Sequence, residues 1–251
     1  MNGENIIPAA PIPLQRKLTE AALMFLFFWS SQGMTLLHLP RLIFSAETLS
    51  SHAWIGAYEG HIWELAFALA FIRFAEKGAY SDWGINLKNA ALSWRILWKF
   101  TIIFALITVA WTVIPTLQSH KINLGSFGPL TWMNVAGWLS FEWLFVGFAE
   151  EIMFRGVIQT TLAQSWTGVA RIGRLEIPAS GLVTTVLFCL AHIDPLHPHI
   201  NFPQQLFCFG LGIYYSVVRH RTGSLLNPIL AHNLGDGMIV TAIYLLYWRL
   251  H

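Results

Sequence analysis

Long apolar runs separated by short polar connections dominate the sequence. A run of roughly 20 apolar residues can cross a bilayer as a helix. The predicted spans lie at about 18–39, 53–74, 100–117, 132–164, 179–192, 203–218 and 226–248. The stretch 132–164 exceeds one perpendicular crossing, so it is either a tilted long helix or a short helix followed by a second one. The pattern predicts an all-α polytopic membrane protein with about seven or eight transmembrane helices.

The connections between these runs carry most of the arginines and lysines. The basic connections are 16–17, 73–99, 171–174 and 219–221. All of them fall on one side of the membrane if the N-terminus is cytoplasmic, which satisfies the positive-inside rule. In 73–99 basic residues are interleaved with tryptophans, which favours an amphipathic helix at the cytoplasmic interface.

The chain is expected to form one unit. Residues 1–17 are Pro-rich and polar, and we expect them to be a flexible N-terminal tail. No internal repeat or linker divides the remainder, so we predict a single integral membrane domain over residues 1–251. The expected location is the inner (plasma) membrane of a prokaryote, with the N-terminus in the cytoplasm.

Composition agrees with a membrane protein. Hydrophobic residues make up 55% of the chain and charged residues 11%, with a mean hydropathy of +0.53. The formal net charge of +2 is too small to suggest a nucleic-acid partner. Cys189 and Cys208 lie inside apolar runs, which predicts free buried thiols rather than a disulfide or a cysteine metal site.

Two adjacent glutamates and an arginine interrupt the 132–164 run. On a helix Glu151 and Arg155 share a face and can form an ion pair, whereas Glu150 is turned by about 100°. One carboxylate is then paired and the other is free to act as a general base. Ionisable groups in hydrocarbon are functional candidates, although a structural polar cluster that closes a helix bundle is the alternative.

Histidines on later apolar runs extend this candidate site. If Ile172 is the apex of the connection after the 132–164 run, Glu150 lies 22 residues before it and His192 lies 20 after it. The two side chains then reach nearly the same depth and can hold a water between them. His232 lies only 10 residues beyond Thr222, roughly 15 Å of helix, so tilt or a re-entrant loop must bring it to the site.

Other polar residues accompany these. Asp236 lies one turn after His232 on the same face, and Asn233 lies beside it. The second run carries Glu59, His61 and Glu64, which could line a polar interior or reach water at the interface.

Three ordered motifs resemble a known family. They are Glu150-Glu151-x-x-x-Arg155, Phe188-x-x-x-His192 and His232-x-x-x-Asp236. Together they resemble the CAAX prenyl endopeptidase and bacteriocin-processing family, whose members are membrane-embedded glutamic-type proteases. The resemblance covers about residues 135–240, the expected catalytic core.

The resemblance implies a role for each matched residue. Glu150 would be the general base and would share an activated water with His192. Glu151 and Arg155 would be the structural pair, and Phe188 would pack beside His192. His232 would polarise the scissile carbonyl or stabilise the oxyanion, together with the residue at 236.

At position 236 the sequence departs from the family pattern, because Asp stands where Asn is frequent. An ionised Asp236 cannot donate a hydrogen bond to an oxyanion. It must therefore be protonated, orient His232 instead, or leave the donor role to Asn233.

The sequence thus predicts a membrane-embedded endopeptidase without a cofactor. It would hydrolyse a peptide bond near the membrane or near the C-terminus of a membrane protein or lipid-associated peptide. A zinc peptidase is one alternative, since one Glu and two His are an acceptable zinc set, although the His-x-x-x-His helix is missing. A non-catalytic immunity or scaffold protein of the same fold is another.

Overall fold

The computed structural model describes residues 12–74, 79–122, 124–173, 175–194 and 198–251, and most of them are helical. The α-helices are α1 (Leu14–Gly33), α2 (Ala46–Ser51), α3 (Trp54–Phe74), α4 (Ala90–Thr108), α5 (Ile114–Ser119), α6 (Trp132–Ser140), α7 (Val146–Glu151), α8 (Gln159–Leu162), α9 (Ala179–Ala191), α10 (Phe202–Thr222) and α11 (Leu226–Leu250). Segments of π-helix occupy Val109–Val113, Phe141–Phe145 and Ile152–Ile158. Short 3₁₀ turns occupy Met34–Leu37, Leu39–Leu42, Tyr80–Trp83 and Gly125–Phe127.

Three helical runs in the described residues are long and apolar enough to cross a bilayer. They are Leu14–Leu42, Ala90–Ser119 and Leu226–Leu250. The shorter α9 is also apolar. The prediction of seven or eight spans goes beyond these runs and stays a prediction.

The long apolar stretch is one continuous helical run over residues 132–162, here called the motif helix, built of α6, α7, α8 and two π-helical segments. It packs against α3, α9 and α11. Every residue from Glu151 to Gln159 is buried, so the charged motif lies in the centre of the molecule. Such π-helical segments are frequent at functional sites.

The predicted interfacial helix over 73–99 is not formed. Residues 75–78 lie outside the described part of the chain, and a 3₁₀ turn follows at Tyr80–Trp83. Gly84 and Asn89 have positive φ values of 90° and 52°. Positive φ ends a regular helix, and α4 begins only at Ala90. Of the described basic residues, Arg73 lies at the end of α3, Lys88 lies in the turn, and Arg95 and Lys99 lie on the first part of the membrane-length α4 run.

A small sheet departs from the all-α prediction. Strands β1 (Val169–Ile172) and β2 (Leu175–Pro178) pair in antiparallel fashion between the motif helix and α9. Gly173, at a φ of 60°, lies in the connecting turn. Ile172 lies at the tip of the connection, as predicted, but the residues beside it are strand rather than helix, so residue counts from Ile172 do not measure depth at the helical rise.

Part of the predicted N-terminal tail, residues 14–17, belongs to the first helix. Residues 1–11 lie outside the described part, and α1 already begins at Leu14. Of the connection at 193–203, residues 195–197 lie outside the described part of the chain.

The turn before α11 is buried, and its position sets the depth of His232 in the molecule. The Leu225 N–H donates to the Gly84 carbonyl at 2.8 Å. The Leu225 side chain also reaches Gly156, where an added Cβ would lie 3.3 Å from it. Seven residues of helix separate Leu225 from His232, about 10 Å, and five separate Gly156 from Glu151, about 7 Å. His232 therefore reaches the depth of Glu151 without further tilt.

Candidate active site

Glu151 and Arg155 form the ion pair that their spacing predicts. Arg155 Nη1 donates to Glu151 Oε1 at 2.9 Å, and both side chains are fully buried. A second guanidinium nitrogen, Nη2, lies 3.4 Å from the Gly212 carbonyl of α10. The pair therefore ties the motif helix to a neighbouring helix, in a setting where an unpaired charge would be costly.

His232 lies against this pair and enters the same network. Its Nδ1 lies 2.8 Å from Glu151 Oε1, and its Nε2 lies 3.1 Å from Asp236 Oδ2. Because the Glu151 carboxylate already accepts from Arg155, Nδ1 of His232 donates to it. Nε2 then donates to Asp236 when the ring is a cation, or accepts when Asp236 is a carboxylic acid.

A stack of rings fixes the orientation of His232. The Tyr215 ring lies parallel to the imidazole, with centroids 5.1 Å apart and an interplanar angle of 14°. Arg155 Cζ lies 5.1 Å from the Tyr215 ring and 4.4 Å from the Phe188 ring. The guanidinium is thus flanked by two aromatic side chains, which favours a buried cation.

Phe188 connects the two predicted histidines. Its ring centroid lies 4.6 Å from that of His192 and 6.1 Å from that of His232. His192 Nδ1 lies 2.8 Å from the Phe188 carbonyl, to which it can only donate. In a neutral His192 ring the remaining nitrogen, Nε2, is therefore an acceptor.

Glu150 is bonded to a histidine that the motifs do not contain. His61 of α3 places Nε2 3.0 Å from Glu150 Oε1, and the two side chains are only 20% and 12% exposed. The second carboxylate oxygen, Oε2, is buried without a hydrogen-bond partner among the described residues. His232 Nε2 lies 3.7 Å from this oxygen.

The second apolar run, with Glu59, His61 and Glu64, indicates that His61 can line a polar interior. A histidine in a largely apolar helix is unusual, and it lies three residues before Glu64, which is 1% exposed. That signal showed a polar face on α3, but it did not show which carboxylate the face would meet.

Asn233 fastens α11 to the motif helix. Its Oδ1 accepts a hydrogen bond from the Gly147 N–H at 2.7 Å. The helices approach so closely here that a Cβ added at Gly147 would lie 2.7 Å from His232 Cβ. Glycine at 147 is therefore required by the contact that brings His232 to the two glutamates.

The polar groups converge on one buried region. His232 contacts Glu150, Glu151 and Asp236. His192 lies at the edge of this group, and the Phe188 ring packs against both His192 and His232. Among the described residues no three His, Cys, Asp or Glu side chains are arranged to hold a metal ion. The site therefore contains an acceptor, Glu150 Oε2, that has no hydrogen-bond partner among the described residues and lies beside the imidazole of His232.

A comparison with known protein families gives a match. Residues 131–238 match a family model described as Type II CAAX prenyl endopeptidase Rce1-like. The matched range contains all eight residues of the predicted site and excludes His61. No curated protein and no solved structure matches the chain.

Proposed function

Because residues 131–238 form a domain of the Rce1-like family of type II CAAX prenyl endopeptidases in an integral membrane protein, we propose that the chain is a membrane-embedded endopeptidase whose water is activated by Glu150 and His192. The substrate would be a membrane protein or lipid-associated peptide, cleaved near its C-terminus or near the membrane. The chain would lie in the inner membrane of a prokaryote, with the N-terminus in the cytoplasm.

One observation carries the proposal. Glu150 Oε2 is buried and has no hydrogen-bond partner among the described residues, although it belongs to an ionisable group. A buried acceptor without a partner is costly and calls for an explanation. A water bound there for reaction supplies that explanation. Glu151 Oε2 is also buried without a hydrogen-bond partner among the described residues, but Glu151 is unsuited to the task because its carboxylate is the ion-pair partner of Arg155 and accepts from His232.

In the first step a water lies between Glu150 Oε2 and His192 Nε2. Glu150 takes a proton from the water while the water oxygen attacks the carbonyl carbon of the scissile peptide bond. His192 accepts the other water hydrogen in a hydrogen bond, which aligns the attacking lone pair. The proton on Glu150 then passes to the leaving amine nitrogen as the carbon–nitrogen bond breaks.

The developing oxyanion needs a donor, and His232 supplies it. With Nδ1 donating to Glu151, a cationic ring presents an N–H at Nε2. The carboxylates of Glu150, Glu151 and Asp236 around the ring favour that cation. Of the roles open to Asp236, we propose the orienting one: it accepts from Nε2 until the substrate oxygen takes its place.

The test compares cells that carry wild-type protein, Glu150→Gln or Glu47→Gln in a strain that lacks the native gene. Glu47 is an exposed acid of α2 and serves as the matched control. Mass spectrometry of membrane peptides should reveal cleavage products with wild type and Glu47→Gln that are missing with Glu150→Gln, at equal protein amounts. Identical peptide sets for all three proteins would overturn the proposed activity.

The same comparison of variants distinguishes the proposed endopeptidase from the non-catalytic alternative. An immunity or scaffold protein would keep its biological effect when Glu150 becomes Gln, because the substitution preserves the shape of the side chain. An endopeptidase loses that effect together with its cleavage products.

A further inference from the structure

We propose that His61 of α3 is a positioning residue for Glu150: it holds Oε1 and thereby leaves Oε2 as the oxygen that takes the proton from water. This inference rests on the proposed function, since it assigns the partner of the proposed base. It also extends the site beyond the matched family range, because α3 lies outside residues 131–238.

The position of His61 is fixed on three sides. Its Nδ1 lies 2.8 Å from the Ala57 carbonyl one turn earlier, which ties the ring to its own helix. The Phe141 ring of the motif helix meets it edge to face, with centroids 4.9 Å apart. Its Nε2 lies 3.0 Å from Glu150 Oε1. A ring restrained in this way can fix the rotamer of its partner.

The hydrogen bond between His61 Nε2 and Glu150 Oε1 requires a proton on one of these two atoms. Nδ1 can only donate to the Ala57 carbonyl, so a neutral ring offers a lone pair at Nε2. A carboxylate cannot bond to that lone pair, so either Nε2 carries a proton or Glu150 does. Glu150 acts as a base when the proton stays on His61, and in that state the cation also compensates the carboxylate charge.

The division of the two carboxylate oxygens follows from this contact. Oε1 is occupied by His61, whereas Oε2 lies near His232 Nε2, at 3.7 Å, and has no hydrogen-bond partner among the described residues. Without His61 the carboxylate could rotate about its terminal torsion, which is broad for glutamate. The proton acceptor would then spend much of its time out of line with the water.

Two substitutions at His61 separate positioning from packing. His61→Phe keeps an aromatic ring against Phe141 and removes the hydrogen bond to Glu150. His61→Gln removes the ring and retains an amide N–H that can reach Oε1. A positioning role predicts that His61→Phe lowers cleavage of the native substrate by about 10-fold or more, because small misplacements of reacting groups are costly. His61→Gln should retain most of the cleavage.

The measurement uses the cleavage products that wild type makes and Glu150→Gln does not, quantified at equal amounts of membrane protein. His220→Phe and His220→Gln, at an exposed position of α10, are the matched controls and should leave the products unchanged. Thermal unfolding in detergent reports whether each variant is folded.

The outcomes decide the inference separately from the proposed function. Full activity in His61→Phe, with loss in His61→Gln, would show that the ring only packs and would overturn the positioning role. Equal activity of both variants with wild type would overturn it as well. Products that persist in Glu150→Gln would overturn the proposed function first, and the inference with it.

Discussion

The imidazole of His232 is tethered by the carboxylate of Glu151, with Nδ1 and Oε1 2.8 Å apart. His232, which is proposed to stabilise the oxyanion, is therefore oriented by Glu151, the glutamate that pairs with Arg155. The Glu151–Arg155 pair contributes to the site as well as to the fold, because its loss would release His232.

Arg155→Ala should remove folded protein and activity together. The substitution leaves Glu151 buried without its partner and empties the space between Phe188 and Tyr215, at a cost of about 3–5 kcal/mol. Arg171→Ala is the control, because its ion pair with Glu176 is exposed and is worth less than about 1 kcal/mol. Thermal unfolding and yield of the purified proteins measure both effects. Equal stability of the two variants would contradict the buried network.

Gly147→Ala should impair catalysis in a protein that still folds. The new Cβ would lie 2.7 Å from His232 Cβ, so α11 must move away from the motif helix by some tenths of an ångström. A misplacement approaching 1 Å can cost about 10²-fold in rate. Gly56→Ala, where nothing lies within 4 Å of the added Cβ, is the control. Native cleavage at wild-type level in Gly147→Ala would show that this contact does not set the position of His232.

Asp236 offers a test of its proposed orienting role. Asp236→Asn keeps an oxygen that accepts from His232 Nε2, and its amide can also donate to an oxyanion, so native cleavage should stay within about tenfold of wild type. Asp236→Ala removes the acceptor and should lower cleavage by about 10²-fold. The ratio of cleavage products between the two variants is the measurement. If Asp236→Asn is as inactive as Asp236→Ala, the carboxyl group itself is needed and the orienting role is wrong.

A chelator should leave activity unchanged if the mechanism is of the glutamic type. Purified protein in detergent is treated with EDTA, and metal content is measured beside cleavage of a peptide identified by the Glu150→Gln comparison. Restoration of EDTA-abolished cleavage by zinc would support the zinc-peptidase alternative instead. The Glu150→Gln protein provides the background, since it should be inactive with or without metal.

The sequence determined those features that depend on a single helix. Spacing of four residues placed Glu151 beside Arg155 and Asp236 beside His232, because the helical period fixes which side chains share a face. The apolar runs predicted a helical membrane protein, because a helix satisfies every backbone polar group within its own segment inside lipid.

Relations between helices were decided only by the tertiary structure. The depth of His232 was misjudged from residue counts because the turn before α11 is sunk against Gly84, a position set by packing and not by distance along the chain. The β-hairpin after the motif helix likewise lengthened a connection that had been counted as helix.

The partner of Glu150 shows the same limit. His61 lies 89 residues away in sequence, and no local period connects the two. A residue pattern fixes what each helix presents on its surface, whereas which two surfaces meet depends on the packing of all the helices together. For this protein the sequence determined that Glu151 pairs with Arg155 while Glu150 is turned away from it, and the fold decided which histidine each glutamate contacts.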